Sequence, residues 1–234
     1  ENLTTLLDSS EQRLLNVIRT RKTSEFKPIT EALREAHENL ERMSKNKSAV
    51  TGLTTGFKDL DKATAGLHEG ELIILAARPG MGKTAFALNI ATNAAMSTDK
   101  AVAIFNLEMS AEQLVNRMIS SVGQIEGEKL KTGMLNDNDW KRYTEARSEL
   151  ADTNIYIEDD ASVTAPEIKA KCRRLASSPK GLALVVIDYL QLVTTGGRVE
   201  SRQVEVSEIS RAFKTMAMEL KVPVIALAQL SRNA

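Results

Sequence analysis

A mostly parallel, doubly wound α/β sheet preceded by an all-helical segment is the fold predicted, and three observations predict it. Short, near-continuous apolar runs occur at Leu72 to Ala76, Val102 to Phe105, Ile155 to Ile157, Leu182 to Ile187 and Val224 to Leu227; runs that do not alternate with polar residues mark strands buried on both faces. Helix-forming stretches separate them, and strands alternating with helices pair in parallel because each crossover returns the chain to the same end of the sheet. Residues 1–50 are instead charged, poor in glycine and without any strand-like run. The chain therefore divides into a helical segment at 1–50 and an α/β core at 51–234, and 234 residues suit one such domain with an appendage.

In the helical segment one helix is predicted after the cap-like Asp8-Ser9-Ser10, carrying Leu14, Leu15 and Ile18, and a second from Pro28, a residue accepted in a helix's first turn. Along the second, Ile29, Leu33, Ala36, Leu40 and Met43 step by four, three, four and three, a seam one helical face wide that needs a partner. Two partners fit: the chain's own core, or a neighbouring subunit reached over a polar tether at Ser44 to Ala49. Periodicity does not separate them.

Lys and Arg together number 31, as do Asp and Glu, so the formal charge is zero and no global basic field marks a nucleic-acid ligand. A ring-shaped oligomer can still confine basic groups to a narrow channel, where local charge matters and the sum does not. Aromatic residues at 4% argue against an aromatic-lined binding platform. The single cysteine, Cys172, excludes an intrachain disulfide and fits a reducing compartment; with no partner motif around it, it reads as a packing residue. No apolar stretch reaches the roughly 18 residues of a membrane span, and the polar start lacks a signal-peptide pattern. The expected location is cytoplasmic, with no membrane partner.

The segment Ala77-Arg78-Pro79-Gly80-Met81-Gly82-Lys83-Thr84 follows the first predicted strand and opens a helix, the context that a phosphate-binding Walker A loop requires. Gly80 and Gly82 let the backbone curl and aim its N–H groups at phosphate oxygens, and the N-terminus of the helix from Lys83 adds a favourable dipole. Arg78, Pro79, Gly80, Met81, Gly82, Lys83, Thr84 and Ala85 are the candidate nucleotide-binding residues. Lys83 is placed to reach the β- and γ-phosphates, and the Thr84 hydroxyl to bind Mg²⁺, a hard cation that prefers oxygen and bridges those phosphates. Ala77 stands where the usual pattern has its first glycine, and alanine is small enough to be compatible. ATP and Mg²⁺ are the expected ligands.

Leu182 to Asp188 is a buried strand ending in a carboxylate, which makes Asp188 the Walker B candidate. At the C-terminal edge of a parallel sheet it can hold Mg²⁺ through a water molecule. Tyr189, Leu190 and Gln191 follow it, with no glutamate, so the water-activating base lies elsewhere. Glu108, just past the strand from Val102 to Leu107, is the candidate: it shares the Walker edge and can orient the attacking water. Its alternative is a plain glutamate at the start of the helix capped by Ser110. Gln229, after the last predicted strand, offers a neutral amide that can sense the γ-phosphate and pass its presence to a neighbouring loop; Glu108, Lys83 and Gln229 form the candidate catalytic set. Two helix starts carry capping boxes, Ser110 with Gln113 and Thr164 with Glu167. Arg211, Lys214 and Lys221 fall on a solvated or subunit-facing side of a helix from about Gln203 to Leu220 and have no assigned chemistry.

With these residues in hand, 51–234 resembles the RecA-type core of the bacterial and phage replicative DNA helicases, the DnaB family. The likeness rests on Thr51-Gly52-Leu53-Thr54-Thr55-Gly56-Phe57 before Leu60-Asp61, on the P-loop from Ala76 to Ala87, on Leu107-Glu108-Met109-Ser110 and on Asp188-Tyr189-Leu190-Gln191-Leu192. It continues through the run from Arg202 to Ser210 and that from Pro223 to Arg232. Ahead of the core, Phe26-Lys27-Pro28-Ile29 and the seam after it are similar to the family's linker helix. The resemblance implies a RecA-like P-loop NTPase, a homo-hexamer joined by residues 1–50 docking on the adjacent subunit, ATP held between protomers, and 5′ to 3′ translocation on single-stranded DNA with duplex unwinding. It also implies primase and a helicase loader as partners of the full-length protein. The family's primase-meeting domain and the strands carrying its arginine finger and most DNA-backbone contacts are not in this sequence. Of the loops present, Thr194 to Arg202, with Gly196, Gly197, Arg198 and Arg202, either faces the ring channel or is plainly solvated; in the first case Arg198 and Arg202 contact DNA phosphates without base specificity. Two other functions stay compatible with the residues. One is a RecA-like ATPase of recombinase or clock type, which lacks the Asp188 to Gln191 and Arg202 to Ser210 runs in this form. The other is a nucleotide-gated assembly or adaptor protein that does not translocate.

Overall fold

The computed structural model describes residues 26–45, 50–194 and 201–230, and the chain divides into two compact units, Glu1–Ser48 and Ala49–Ala234. In the first, α1 (Ile29–Lys45) starts directly after Pro28, whose carbonyl accepts the N–H groups of Glu31 and Ala32 at 3.1 and 3.2 Å. Proline is tolerated there because the N–H it lacks has no helical partner anyway. The seam is exposed, with Ile29 at 71%, Leu33 at 60% and Leu40 at 64%. Ser44 and Lys45, expected in the tether, belong to the helix: the Ser44 hydroxyl turns back onto the Glu41 carbonyl at 3.0 Å, which lets a serine stay helical. The helix predicted around Leu14, Leu15 and Ile18, with its cap Asp8-Ser9-Ser10, lies outside the described residues, as does the rest of the tether.

In the second unit each predicted apolar run is a strand: β1 (Leu72–Ala77), β2 (Ala101–Asn106), β3 (Ile155–Glu158), β4 (Leu182–Asp188) and β5 (Val224–Gln229). They form one five-stranded sheet in the order β1-β5-β4-β2-β3, parallel throughout. The strands run past their apolar stretches into Asn106, Glu158, Asp188 and Gln229, because the ladder continues there: Asn106 pairs with Asp188 and Ala77 with Gln229. Parallel pairing gathers all these polar strand ends at one edge.

Both faces of the sheet are covered. Ala101, Ala103 and Phe105 of β2 pack with Ile168 and Cys172 of α7 (Ala165–Ala176) and with Ile209, Phe213 and Met216 of α8 (Arg202–Leu220). The alternate residues Val102 and Ile104 pack with Leu88, Ala91 and Ala95 of α3 (Lys83–Met96) and with Leu114 and Met118 of α4 (Ala111–Val122). Successive strand side chains point to opposite faces, so a strand between two helical layers is apolar at every position. The short α2 (Lys58–Thr64) precedes β1, and α5 (Gly127–Thr132) and α6 (Asp137–Ala151) pack on α4 through a small cluster of Ile119, Ile125 and Ala146 that Leu130 of α5 joins.

Both predicted capping boxes are present, and a third, Asn136 with Asp139, starts α6. Cys172 is buried, and burial pushes its thiol up to about 12, as suits a packing residue. Lys214 ties α8 to the turn before β1 by donating to the Gly70 carbonyl at 2.9 Å, Lys221 is the left-handed C-cap of α8, and Arg211 is exposed. Among the described residues no helix is long and apolar enough to cross a membrane.

Candidate functional site

The end of β1 and the start of α3 enclose a cavity of about 410 Å³ lined by Ala77, Arg78, Pro79, Gly80, Gly82, Lys83, Thr84 and Ala85, with Glu108, Met109, Arg117 and Gln229 facing them. Gly80 and Gly82 hold φ of 77° and 81°, a left-handed backbone that side-chain-bearing residues resist, and a Cβ on either meets no atom within 4 Å. The loop thus curls around open space beneath the first turn of α3, whose N–H groups have no helical partner and carry the positive end of the helix dipole. Met81 is the one predicted nucleotide residue that does not line the cavity. It is 73% exposed, because the two flanking glycines turn the loop so that its side chain faces away.

Below the loop, Thr84 Oγ1 donates to Asp188 Oδ2 at 2.6 Å and Lys83 Nζ stands 3.8 Å from Asp188 Oδ1 and 4.9 Å from the centroid of the Tyr189 ring. Asp188 is buried, and its Oδ1 accepts no hydrogen bond, an orphaned anionic oxygen of the kind that a cation or its water shell satisfies. A hydroxyl and one carboxylate suit Mg²⁺, which keeps several waters and takes its remaining ligands from phosphates. The described residues contain no cluster of three or more His, Cys, Asp or Glu, so a cage made wholly of protein ligands is not built there.

Glu108 stands two residues past the end of β2 with its carboxylate making no hydrogen bond or ion pair among the described residues, and it faces the P-loop across the cavity. Its backbone is held: Asn106 Oδ1 accepts the N–H groups of Glu108 and Met109 at 3.0 and 2.7 Å. Gln229 is the last residue of β5 and not a residue after it, because its backbone still pairs with Ala77. On its other side the Gln191 amide donates Nε2 to the Gln229 carbonyl at 3.2 Å and accepts the Gln229 N–H at 3.3 Å.

Arg202, expected in a loop with an arginine free for phosphates, is the first residue of α8, after the cap Ser201. Its guanidinium donates to the carbonyls of Gln191 and of Val193, the latter at 3.1 Å, and pairs with Glu205. The physical reason is local: the turn after β4 leaves carbonyls without ladder partners, and a five-donor guanidinium satisfies them. Arg198 lies outside the described residues, with Gly196 and Gly197. Arg117 is the cavity residue that the sequence did not single out. It sits on α4 between the buried Leu114 and Met118, and that position on the rim of a buried stripe was its only signal.

A strand, a glycine loop, a helix and an aspartate two strands away in the same parallel sheet, with β5 between them, define a RecA-like P-loop fold. The chain belongs to a particular family with that fold: the DnaB-like helicase C terminal domain matches residues 52–234. It is 49% identical over 229 residues to the replicative DNA helicase DnaC of Bacillus subtilis (strain 168), covering 97% of this chain and 50% of that protein. Against the replicative DNA helicase DnaB of Geobacillus stearothermophilus it is 47% identical over 234 residues, covering 100% and 51%. The chain spans about half the length of the curated relatives it matches. Among solved structures, one described as a DnaB-like replicative helicase and its interactions with primase superposes with a TM-score of 0.79 at 35% identity, over 97% of this chain and 54% of the other. A second, described as an ATPase domain, superposes with a TM-score of 0.82 at 37% identity, over 89% and 73%.

Proposed function

We propose that this chain is the motor portion of a replicative DNA helicase, hydrolysing ATP to drive 5′ to 3′ movement along single-stranded DNA and so unwind the duplex. The observation that carries the reading is the cavity in which the P-loop, Glu108 and Gln229 face one another above the Thr84–Asp188 contact. The backbone of Gly80 to Ala85 cradles the phosphates, Lys83 neutralises the β- and γ-oxygens, and Gln229 senses the γ-phosphate. Glu108 orients a water for in-line attack on the γ-phosphorus; as the new P–O bond forms, the bond to the β-phosphate oxygen breaks, and the water's proton passes through Glu108 to solvent. Mg²⁺, when held by Thr84 Oγ1 and, through water, by Asp188, supplies charge neutralisation between the β- and γ-phosphates.

The apolar seam of α1 at Ile29, Leu33, Ala36, Leu40 and Met43, together with membership of the family, supports the assignment of residues 1–50 to docking on an adjacent copy, giving a homo-hexamer with ATP between protomers. Membership of the family supports primase and a helicase loader as partners of the longer protein, and a cytoplasmic place of work, where its DNA track is. Arg198 and Arg202 are the candidates for DNA-phosphate contacts. The test is steady-state ATP hydrolysis by this chain with and without oligothymidylate, beside Lys83→Ala and Glu108→Gln. Lys83→Ala is expected to lose nucleotide binding, and Glu108→Gln to keep it while turnover falls by about 10²–10⁴. Parental turnover in Glu108→Gln would remove Glu108 as the base, and turnover indifferent to oligothymidylate would remove the coupling to DNA.

A further inference from the structure

We infer that Asn106 is a positioning residue of this site, one buried amide that fixes the Glu108 turn and the Asp188 carboxylate relative to each other; the inference rests on the pocket's being an ATP-hydrolysing site. Asn106 ends β2 directly opposite Asp188 and is 1% exposed. Its Oδ1 accepts the N–H groups of Glu108 and Met109, and its Nδ2 donates to Asp188 Oδ2 at 3.3 Å. The neighbouring backbone reinforces the connection, with the Leu107 N–H donating to the Asp188 carbonyl at 2.9 Å. A side-chain amide is suited to this task because it carries an oxygen with two lone pairs and a donor nitrogen on one rigid plane. Aspartate would grip the turn and offer Asp188 no donor; serine would grip the turn more weakly and fall short of Asp188; alanine would do neither.

The consequence is mechanical. Asp188 serves the metal side of the phosphate chain and Glu108 the side from which water attacks, and these two groups belong to different strands. The Glu108 carboxylate has no partner among the described residues, so its aim is set by its backbone, and its backbone is held by Asn106. Asp188 Oδ2 is shared by Asn106 and Thr84, which leaves Oδ1 turned toward Lys83. Asn106 therefore makes the base, the metal carboxylate and the P-loop hydroxyl one rigid set without touching nucleotide itself.

Misplacing a reacting group by about 1 Å can cost on the order of 10²-fold in rate, so Asn106→Ala is expected to lower kcat by roughly 10- to 100-fold while the KM for ATP stays within about twofold. In a Glu108→Gln background the same substitution should cost clearly less in single-turnover hydrolysis than in the parent, because the carboxylate it aims is gone and only its hold on Asp188 remains to be lost; a generally structural residue would cost the same in both backgrounds. Asn106→Ser, which can re-form the turn through its hydroxyl but cannot reach Asp188, should recover only part of the lost kcat. Parental kcat in Asn106→Ala, an undiminished cost in the Glu108→Gln background, or loss of folding in both the alanine and serine variants would each overturn the inference. Failure of the parent chain to hydrolyse ATP would overturn this inference and the proposed function together, whereas an active parent with indifferent Asn106 variants overturns this inference alone.

Discussion

Gly56 precedes α2 with a φ of 78°, and a methyl placed on it would lie 2.1 Å from Asn93 Nδ2, 2.4 Å from its Cγ and 2.6 Å from its Cβ. Asn93 belongs to α3, the helix that opens with Lys83 and Thr84, and its amide donates to the Thr55 carbonyl at 3.0 Å. Gly56→Ala therefore imposes a left-handed backbone on alanine, roughly 1–2 kcal/mol. Swinging the Asn93 amide aside would sacrifice its hydrogen bond, about 1 kcal/mol, and would relieve only the first two contacts. The Cβ of Asn93 cannot rotate away, so the turn must shift against α3 at a cost of about 1–3 kcal/mol, as in other overpacked sites. The combined loss is about 4 kcal/mol, and at about 2–4 °C per kcal/mol for a domain of this size the melting temperature should fall by roughly 8–16 °C. Differential scanning calorimetry reads this directly. Gly80→Ala is the comparison, since Gly80 has the same left-handed backbone but nothing within 4 Å of the added carbon, and should cost only the backbone strain. Equal losses in the two variants would refute the claim that the Gly56 turn is packed tightly on the P-loop helix.

Two further outcomes follow from side chains that fix the site's surroundings. Burial acts to raise the Asp61 pKa, but hydrogen bonds from Thr54, from the backbone and hydroxyl of Thr55 and from the Gly56 backbone outweigh it and leave the carboxyl below its ordinary value; its stabilising contribution is then present above the unfolded pKa of about 4 and lost as pH falls through the folded one. The gap in melting temperature between the parent and Asp61→Asn should accordingly be constant near neutral pH and close below about pH 4, and a gap independent of pH would show that Asp61 is not held as an anion. Gln191→Met removes the paired amide bonds to the Gln229 backbone and should reduce the preference for a non-hydrolysable ATP analogue over ADP by about five- to tenfold, as expected for two net hydrogen bonds at a partly exposed site; calorimetric titration showing an unchanged ratio would mean that Gln229 does not depend on Gln191 for its aim.

What was legible in the sequence was what lies in a short window or follows from parallel pairing. The P-loop is contiguous, so its strand, glycines, lysine and threonine announce one another. Glu108 and Gln229 were legible because the carboxyl ends of parallel strands share an edge, which puts a residue past β2 and one at the end of β5 on the same rim as the loop after β1, and the strand order then brings them to its cavity. The contacts of Asn106 and Gln191 depend on the strand order. Asn106 can reach Asp188 only because β2 lies next to β4, and Gln191 can pair with Gln229 only because β5 lies on the other side of β4; no local pattern states either adjacency. Arg202, expected in a loop, is the first residue of α8. An arginine after glycines suggests a ligand's phosphates, but the unpaired carbonyls of the turn after β4 are nearer and compete for the same donors. Asn106 is the sharpest case: it falls within the predicted strand Val102 to Leu107, but nothing local says what its side chain meets. Its burial supplies the answer: a polar side chain removed from water needs partners, and those of Asn106 are the Glu108 turn and the Asp188 carboxylate, the two groups proposed to act on the water and the metal.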